Sequence, residues 1–126
     1  MAEIQSHLLA ARLLHRLTNW PFAGSDTLRW AVWANMMAGE YQETLLLHET
    51  LKEKYTLESS DHDNLGVILC RLDRNEEGMA AFDQALILDP NNIGALCNRG
   101  YLRILLEMPG KALQDLNKAV SLAPER

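Results

Sequence analysis

The chain has 126 residues, 48% of them apolar, and carries 12 Lys and Arg against 17 Asp and Glu, a formal net charge of −5. That length supports one domain with a core that removes roughly two-thirds of the extended-chain surface from water, with no need for a metal or a disulfide. The acidic balance disfavours phosphate backbones and anionic lipid, so nucleic acid is not an expected partner, although Arg99, Arg103 and Lys111 could form a local basic spot.

Residues 3–18 predict a first helix, with Ile4, Leu8, Leu9, Leu13, Leu14 and Leu17 on a broad apolar face. Asn19-Trp20-Pro21 ends it, because the residue before a proline avoids helical angles. Such a helix is expected to cap the open end of a stack; the rival is that it fills a groove or joins a second chain. Next comes a helix, glycine, helix order centred on MMAGEYQETL, with Ser25 or Asp26 available as the cap. In NLGVILCRL, Leu65, Leu69 and Leu72 fall at i, i+4 and i+7, and Ala81, Phe82, Ala85 and Leu88 mark the face of the following helix. Asp73-Arg74-Asn75 joins the two, and Asp89-Pro90-Asn91-Asn92 stops the second. Asp61-His62-Asp63 stands at a helix start, where acidic residues are favoured by capping and the helix dipole rather than by a metal.

The same order returns 34 residues later as Leu96, Gly100 and Ile104, a break at Met108-Pro109-Gly110, then Ala112, Leu116 and Ala119. Pro109 suits a first helical turn, where its missing N–H has no partner to lose. Gly66 and Gly100 sit in mid-helix, where glycine costs about 1 kcal/mol relative to alanine. The expected compensation is close approach of the paired helix, so Gly100→Leu should overpack.

Three blocks, 25–58, 59–92 and 93–126, follow from this period, after an N-terminal helix and linker over 1–24. The pattern resembles the tetratricopeptide repeat family. The second block carries Leu65, Gly66, Phe82, Ala85 and Pro90, with Gly78 in place of the usual alanine; the third carries Leu96, Gly100, Ala112, Leu116, Ala119 and Pro124. The first is degenerate, with Val32 at the small position and Thr44 and Thr56 replacing Ala and Pro. The resemblance implies an all-α fold, a right-handed α-solenoid of three helix-turn-helix repeats preceded by a helix. It also implies a concave groove lined by Arg29, Trp33 and Met36, by Asp63 and Val67 with Asn64 at the edge, and by Cys97, Tyr101 and Ile104 with Asn98 at the edge. Cys70 belongs to the same lining.

The function so implied is binding of a peptide or amphipathic helix of a partner protein. The family's basic clamp for carboxylate tails is not expected, because Arg29 and Asn64 fit it but Trp33, Gly94 and Asn98 stand where it needs an asparagine and two cations. The layout is similar to that of the tetratricopeptide chaperones of type III secretion. A structural alternative is an assembly element that dimerises through Leu113 and Val120 of the last helix, which no polar helix follows in this sequence. Arg99 and Arg103 replace the family's Leu and Tyr, which suggests a wetter terminal repeat.

Catalysis has no foothold. No GxxxxGK or GxGxxG loop occurs, His48-Glu-Thr-Leu-Lys52 lacks the second histidine of a zinc protease, and His7, His15, His48 and His62 are scattered. No cofactor or metal is expected. Cys70 and Cys97 form no CxxC pair and read as small apolar residues on helices. No run approaches the roughly 20 apolar residues of a membrane span, and Glu3 and His7 break the pattern of a secretory peptide, so the expected setting is cytoplasmic.

Overall fold

The computed structural model describes residues 24–123, so the helix expected over 3–18 lies outside the described residues, as do Pro124 and Arg126. Among the described residues there are six helices and no strand: α1 (Ser25–Met37), α2 (Tyr41–Lys54), α3 (Ser59–Arg71), α4 (Asn75–Leu88), α5 (Ile93–Leu105) and α6 (Pro109–Leu122). First helices start at 25, 59 and 93 and second helices at 41, 75 and 109, a recurrence of 34 residues at every step. The chain divides into two compact units, one ending at Leu57 and one beginning at Glu58.

The period is written into the turns. Gly39, Asp73 and Glu107, each 34 residues from the next, all adopt the left-handed region at φ 81°, 61° and 58°. After each of them the next amide reaches back over the helix end: Glu40 N–H to Asn35 O, Arg74 N–H to Leu69 O and Met108 N–H to Arg103 O, at 2.9, 2.8 and 2.7 Å. This six-to-one bond satisfies a carbonyl that the helix end would otherwise orphan, and it fixes the sharp reversal between paired helices.

Helix starts are more varied. The N-cap of α1 is Gly24, which has no side chain to accept from the first-turn amides, and neither Ser25 nor Asp26 holds the cap position; Asp26 lies in the first turn, where its charge complements the dipole. At α3 the Asp61 carboxylate reaches back to accept from the Glu58 N–H at 2.8 Å, the reciprocal arm of a capping box. Asn92 caps α5 by accepting the Ala95 N–H at 3.0 Å. The Asn92 amide also donates to Ser59 Oγ at 2.9 Å, and Ser59 donates to the Ala85 carbonyl at 2.7 Å. One polar chain thus ties the start of α3, the end of α4 and the start of α5. Pro109 occupies the first turn of α6.

In the first unit, α1 packs on α2, with Leu28, Ala31, Val32 and Ala34 buried on one and Leu47 and Leu51 on the other. The substitutions that make this repeat degenerate are accommodated rather than exposed. Val32 is buried, and Thr44 is fully buried with its hydroxyl donating to Glu40 O at 2.6 Å.

In the second unit, α3 pairs with α4 and α5 with α6, while α5 also packs on α4 and α3. A Cβ added at Gly66 would fall on the Phe82 ring, and one at Gly100 would stand 2.9 Å from Leu116 Cδ2, so both glycines mark close helix approach. Ala85, Leu86, Ala95, Leu96 and Ala119 form one buried cluster across α4, α5 and α6.

Two expectations change. Leu88 and Ile104, placed by spacing on packing faces, are about half exposed, whereas Leu86 and Leu102 are buried. The reason is that α5 buries two faces, with Gly100 against α6 and Leu102 beside Phe82 of α4. Nor do Arg99 and Arg103 make a wet repeat or a basic spot. Arg99 donates to both oxygens of Asp115, at 3.0 and 2.7 Å, and to Asp83 at 3.0 Å; Arg103 donates to Asp115 at 2.6 Å. Asp115 is 4% exposed, and these hydrogen bonds push the Arg99 pKa up from its usual value.

Candidate functional site

The second unit holds a cavity of about 310 Å³ between α3 and α5, at the small end of the range of ligand pockets. Its walls are Val67 and Cys70 of α3 and Tyr101 and Leu105 of α5; Phe82 and Leu102 are buried beneath. Arg71, Asn75 and Asn98 add polar groups to the lining. Helical spacing explains the alignment, because Val67 with Cys70 and Arg71, and Tyr101 with Leu105, are three or four residues apart and share a face. The 34-residue period then places the Val67 and Tyr101 faces side by side.

The pocket is braced by a cross-helix bond. Asn98 donates its amide to Asp63 Oδ1 at 2.9 Å. Burial raises the Asp63 pKa, and the Asn98 bond opposes that rise without cancelling it. Burial likewise raises the pKa of Cys70, against the lowering effect of Arg71, so this thiol is held in its protonated, weakly nucleophilic form. Both cysteines are free, Cys97 being exposed, and no group of three metal-ligating side chains occurs among the described residues.

Of the groove residues inferred from sequence, Val67, Asn98 and Tyr101 meet at this cavity, with Asp63 bonded to Asn98. Asn64 is half-buried on α3 and does not line it; Cys97 and Ile104 are exposed on α5 outside it. Leu113 and Val120 are exposed on α6. Arg29, Trp33 and Met36 lie on α1 in the first unit. There Arg29 and Trp33 line a shallow hollow with Asp26 and Trp30, and Trp30 and Trp33 meet edge to face at 5.6 Å. Sequence reasoning missed Trp30, Arg71, Asn75 and Leu105. The i+4 relation of Leu105 to Tyr101 was the available signal.

Residues 93–126 match the tetratricopeptide repeat family. Solved structures extend the likeness over the rest of the chain. A crystal structure of MamA superposes with a TM-score of 0.77 at 15% identity, covering 89% of this chain and 66% of that one. A MamA structure designated MSR-1 C2 gives 0.75 at 22% identity, covering 93% and 67%, and one designated AMB-1 C2221 gives 0.72 at 23%, covering 90% and 66%. Residues 93–126 are a tetratricopeptide repeat, and the described chain shares the all-α helical-repeat fold of these structures. The chain spans about two-thirds of the MamA chains it resembles, and at these identities the likeness is one of fold. No curated protein matches it in sequence. Tetratricopeptide repeats form a protein-interaction scaffold that is typically not enzymatic, and no helix among the described residues is long and apolar enough to cross a membrane.

Proposed function

We propose that this helical-repeat protein holds a segment of a partner protein, extended or helical, with one large apolar side chain of that segment seated between α3 and α5. The observation that carries the reading is the cavity itself. It has a mostly apolar wall, a rigid floor of buried Phe82 and Leu102, and an exposed aromatic rim residue in Tyr101. Aromatic residues at such a rim supply contact area at low entropic cost and are frequent hot spots. The Asn98 to Asp63 bond fixes the spacing of the two walls, so the pocket is formed before the partner arrives. A cytoplasmic, reducing setting goes with the proposal, since Cys70 sits in the wall as a free thiol.

The test is recovery of partners on the wild-type chain, identification by mass spectrometry, and titration of the recovered segment against variants. Tyr101→Ala should weaken binding about tenfold, the effect of losing a hot-spot residue, with melting unchanged because the side chain is exposed. Equal affinity of the variant and the wild type would place the site elsewhere.

A further inference from the structure

Two charges without a counter-ion stand at opposite ends of the cavity between α3 and α5. Arg71 lines one end and is exposed, and it forms no ion pair among the described residues, whereas Arg74, Arg99 and Arg103 of the same unit each hold a carboxylate. Its charge acts on the pocket wall, where it opposes the rise that burial gives the Cys70 pKa. At the other end Asp63 is half-buried, with Asn98 donating to its Oδ1 at 2.9 Å and no cation bonded to it among the described residues. Its Oδ2 faces Gly94, where a Cβ would stand 3.0 Å away, so no side chain there covers that oxygen. Eight residues of α3 separate the two charges, about 12 Å along the helix axis. Between them lies the apolar wall of Val67, Cys70 and Tyr101.

We propose that the segment bound in this groove is extended and has a fixed charge order: a large apolar residue in the cavity, a basic residue two positions away facing Asp63, and an acidic residue two positions away on the other side facing Arg71. The inference rests on the reading of the cavity as an anchor pocket. In an extended chain, side chains two positions apart share a face, and residues four positions apart are separated by about 13 Å. That span matches the separation of the two charges on α3, so all three side chains can be seated at once. Opposite charges supplied by the segment then fix its register on the groove.

This chain does not offer such a segment in extended form. Residues 1–23 contain one acid, Glu3, and the basic residue four positions on, His7, has the polar Gln5 midway. Elsewhere the pattern occurs at Arg103, Leu105 and Glu107 and at Lys111, Leu113 and Asp115. Both sets are folded into α5, α6 and the turn between them, with Arg103 bonded to Asp115. The charge order therefore favours a segment of another protein over the residues before Gly24 or a second copy.

The experiment titrates the 126-residue chain with three end-blocked pentapeptides, followed by amide chemical shifts. Each has a central phenylalanine with a serine on either side, and the outer positions carry one lysine and one glutamate, two lysines, or two glutamates. The mixed peptide should bind about fivefold more tightly than either like-charged peptide at low salt, an advantage that shrinks at about 0.5 M salt. Arg71→Glu should move the preference to the double-lysine peptide with an unaltered melting curve, since the side chain is exposed. Asp63→Asn, which keeps an acceptor for Asn98, should make the mixed and double-glutamate peptides bind alike. Tyr101→Ala should weaken all three. Equal affinity of the three peptides, with Tyr101→Ala still weakening each, would overturn the charge order and leave the anchor pocket standing. Binding unaffected by Tyr101→Ala would overturn the anchor pocket and this inference with it. A dimer in light scattering that the mixed peptide disperses would also overturn the proposal, because the occupant would then be a second copy.

Discussion

The α3/α4 and α5/α6 pairs have the same backbone plan and solve their interiors by different chemistry. Between α3 and α4 the positions Leu65, Leu69 and Ala81 are apolar, and the Phe82 ring fills the space that Gly66 leaves. In the later pair the counterparts are Arg99, Arg103 and Asp115, a two-to-one ion cluster around a carboxylate that is almost wholly buried, and the smaller Leu116 faces Gly100. One turn geometry thus accepts either an apolar layer or an ion-paired one. The helix pair is set by its turn and its small-to-large contact, and the residues between them have only to match each other.

The sharpest way to break the comparison is to remove the centre of the cluster. Asp115→Ala leaves two guanidinium groups in a partly desolvated layer without their shared acceptor, and loss of one partner from a buried ion pair typically costs about 3–5 kcal/mol. Urea denaturation should show that loss as a lower midpoint with little change in slope. Adding Arg99→Leu and Arg103→Leu, which copies the earlier pair's own solution, should recover most of it, because well-packed apolar groups replace buried ions at little or no cost. No recovery in the triple variant would mean that the cluster does more than fill the layer.

A smaller effect separates the two glycines. Gly66→Ala would drive its methyl onto the Phe82 ring, which cannot yield without moving α4, so overpacking of about 1–3 kcal/mol is expected. Gly100→Ala meets the Leu116 side chain, with Cδ2 at 2.9 Å and Cγ at 3.0 Å, so that leucine must shift, and alanine's better helix propensity offsets part of the cost. Thermal melting should rank the Gly66 variant well below the wild type and place the Gly100 variant between the two. Similar losses at both sites would show that the later pair is packed as tightly as the earlier one.

These contrasts also mark what could be read before the structure. Periodicity and the glycine, alanine and proline positions carried the all-α helical-repeat fold, because they report backbone approach and chain reversal, which are local. The pocket was legible only in part: Val67, Asn98 and Tyr101 followed from the repeat's register. Arg71 and Leu105 also line it, because the wall includes the next residue along each helix face. Arg99 and Arg103 were misread as surface character, since each judged alone is polar and only their convergence with Asp115 of the next helix makes a largely buried, hydrogen-bonded set.

The left-handed turn residues give the smallest difference between pairs and the most direct reading of one position. Gly39 pays no steric penalty at positive φ, Asp73 is a tolerated type there, and Glu107 is neither. A left-handed conformation costs a residue with a Cβ about 1–2 kcal/mol, and part of any gain from glycine is lost to the greater freedom of the unfolded chain. Glu107→Gly should therefore raise stability by about 1 kcal/mol, with a smaller rise for Asp73→Gly. A melting temperature several degrees higher for the Glu107 variant is the expected reading for a chain of this size. If Glu107→Gly were neutral while Asp73→Gly stabilised, the strain would lie in the α3/α4 turn, and the later pair would hold its reversal by contacts beyond the six-to-one bond from Met108 to Arg103.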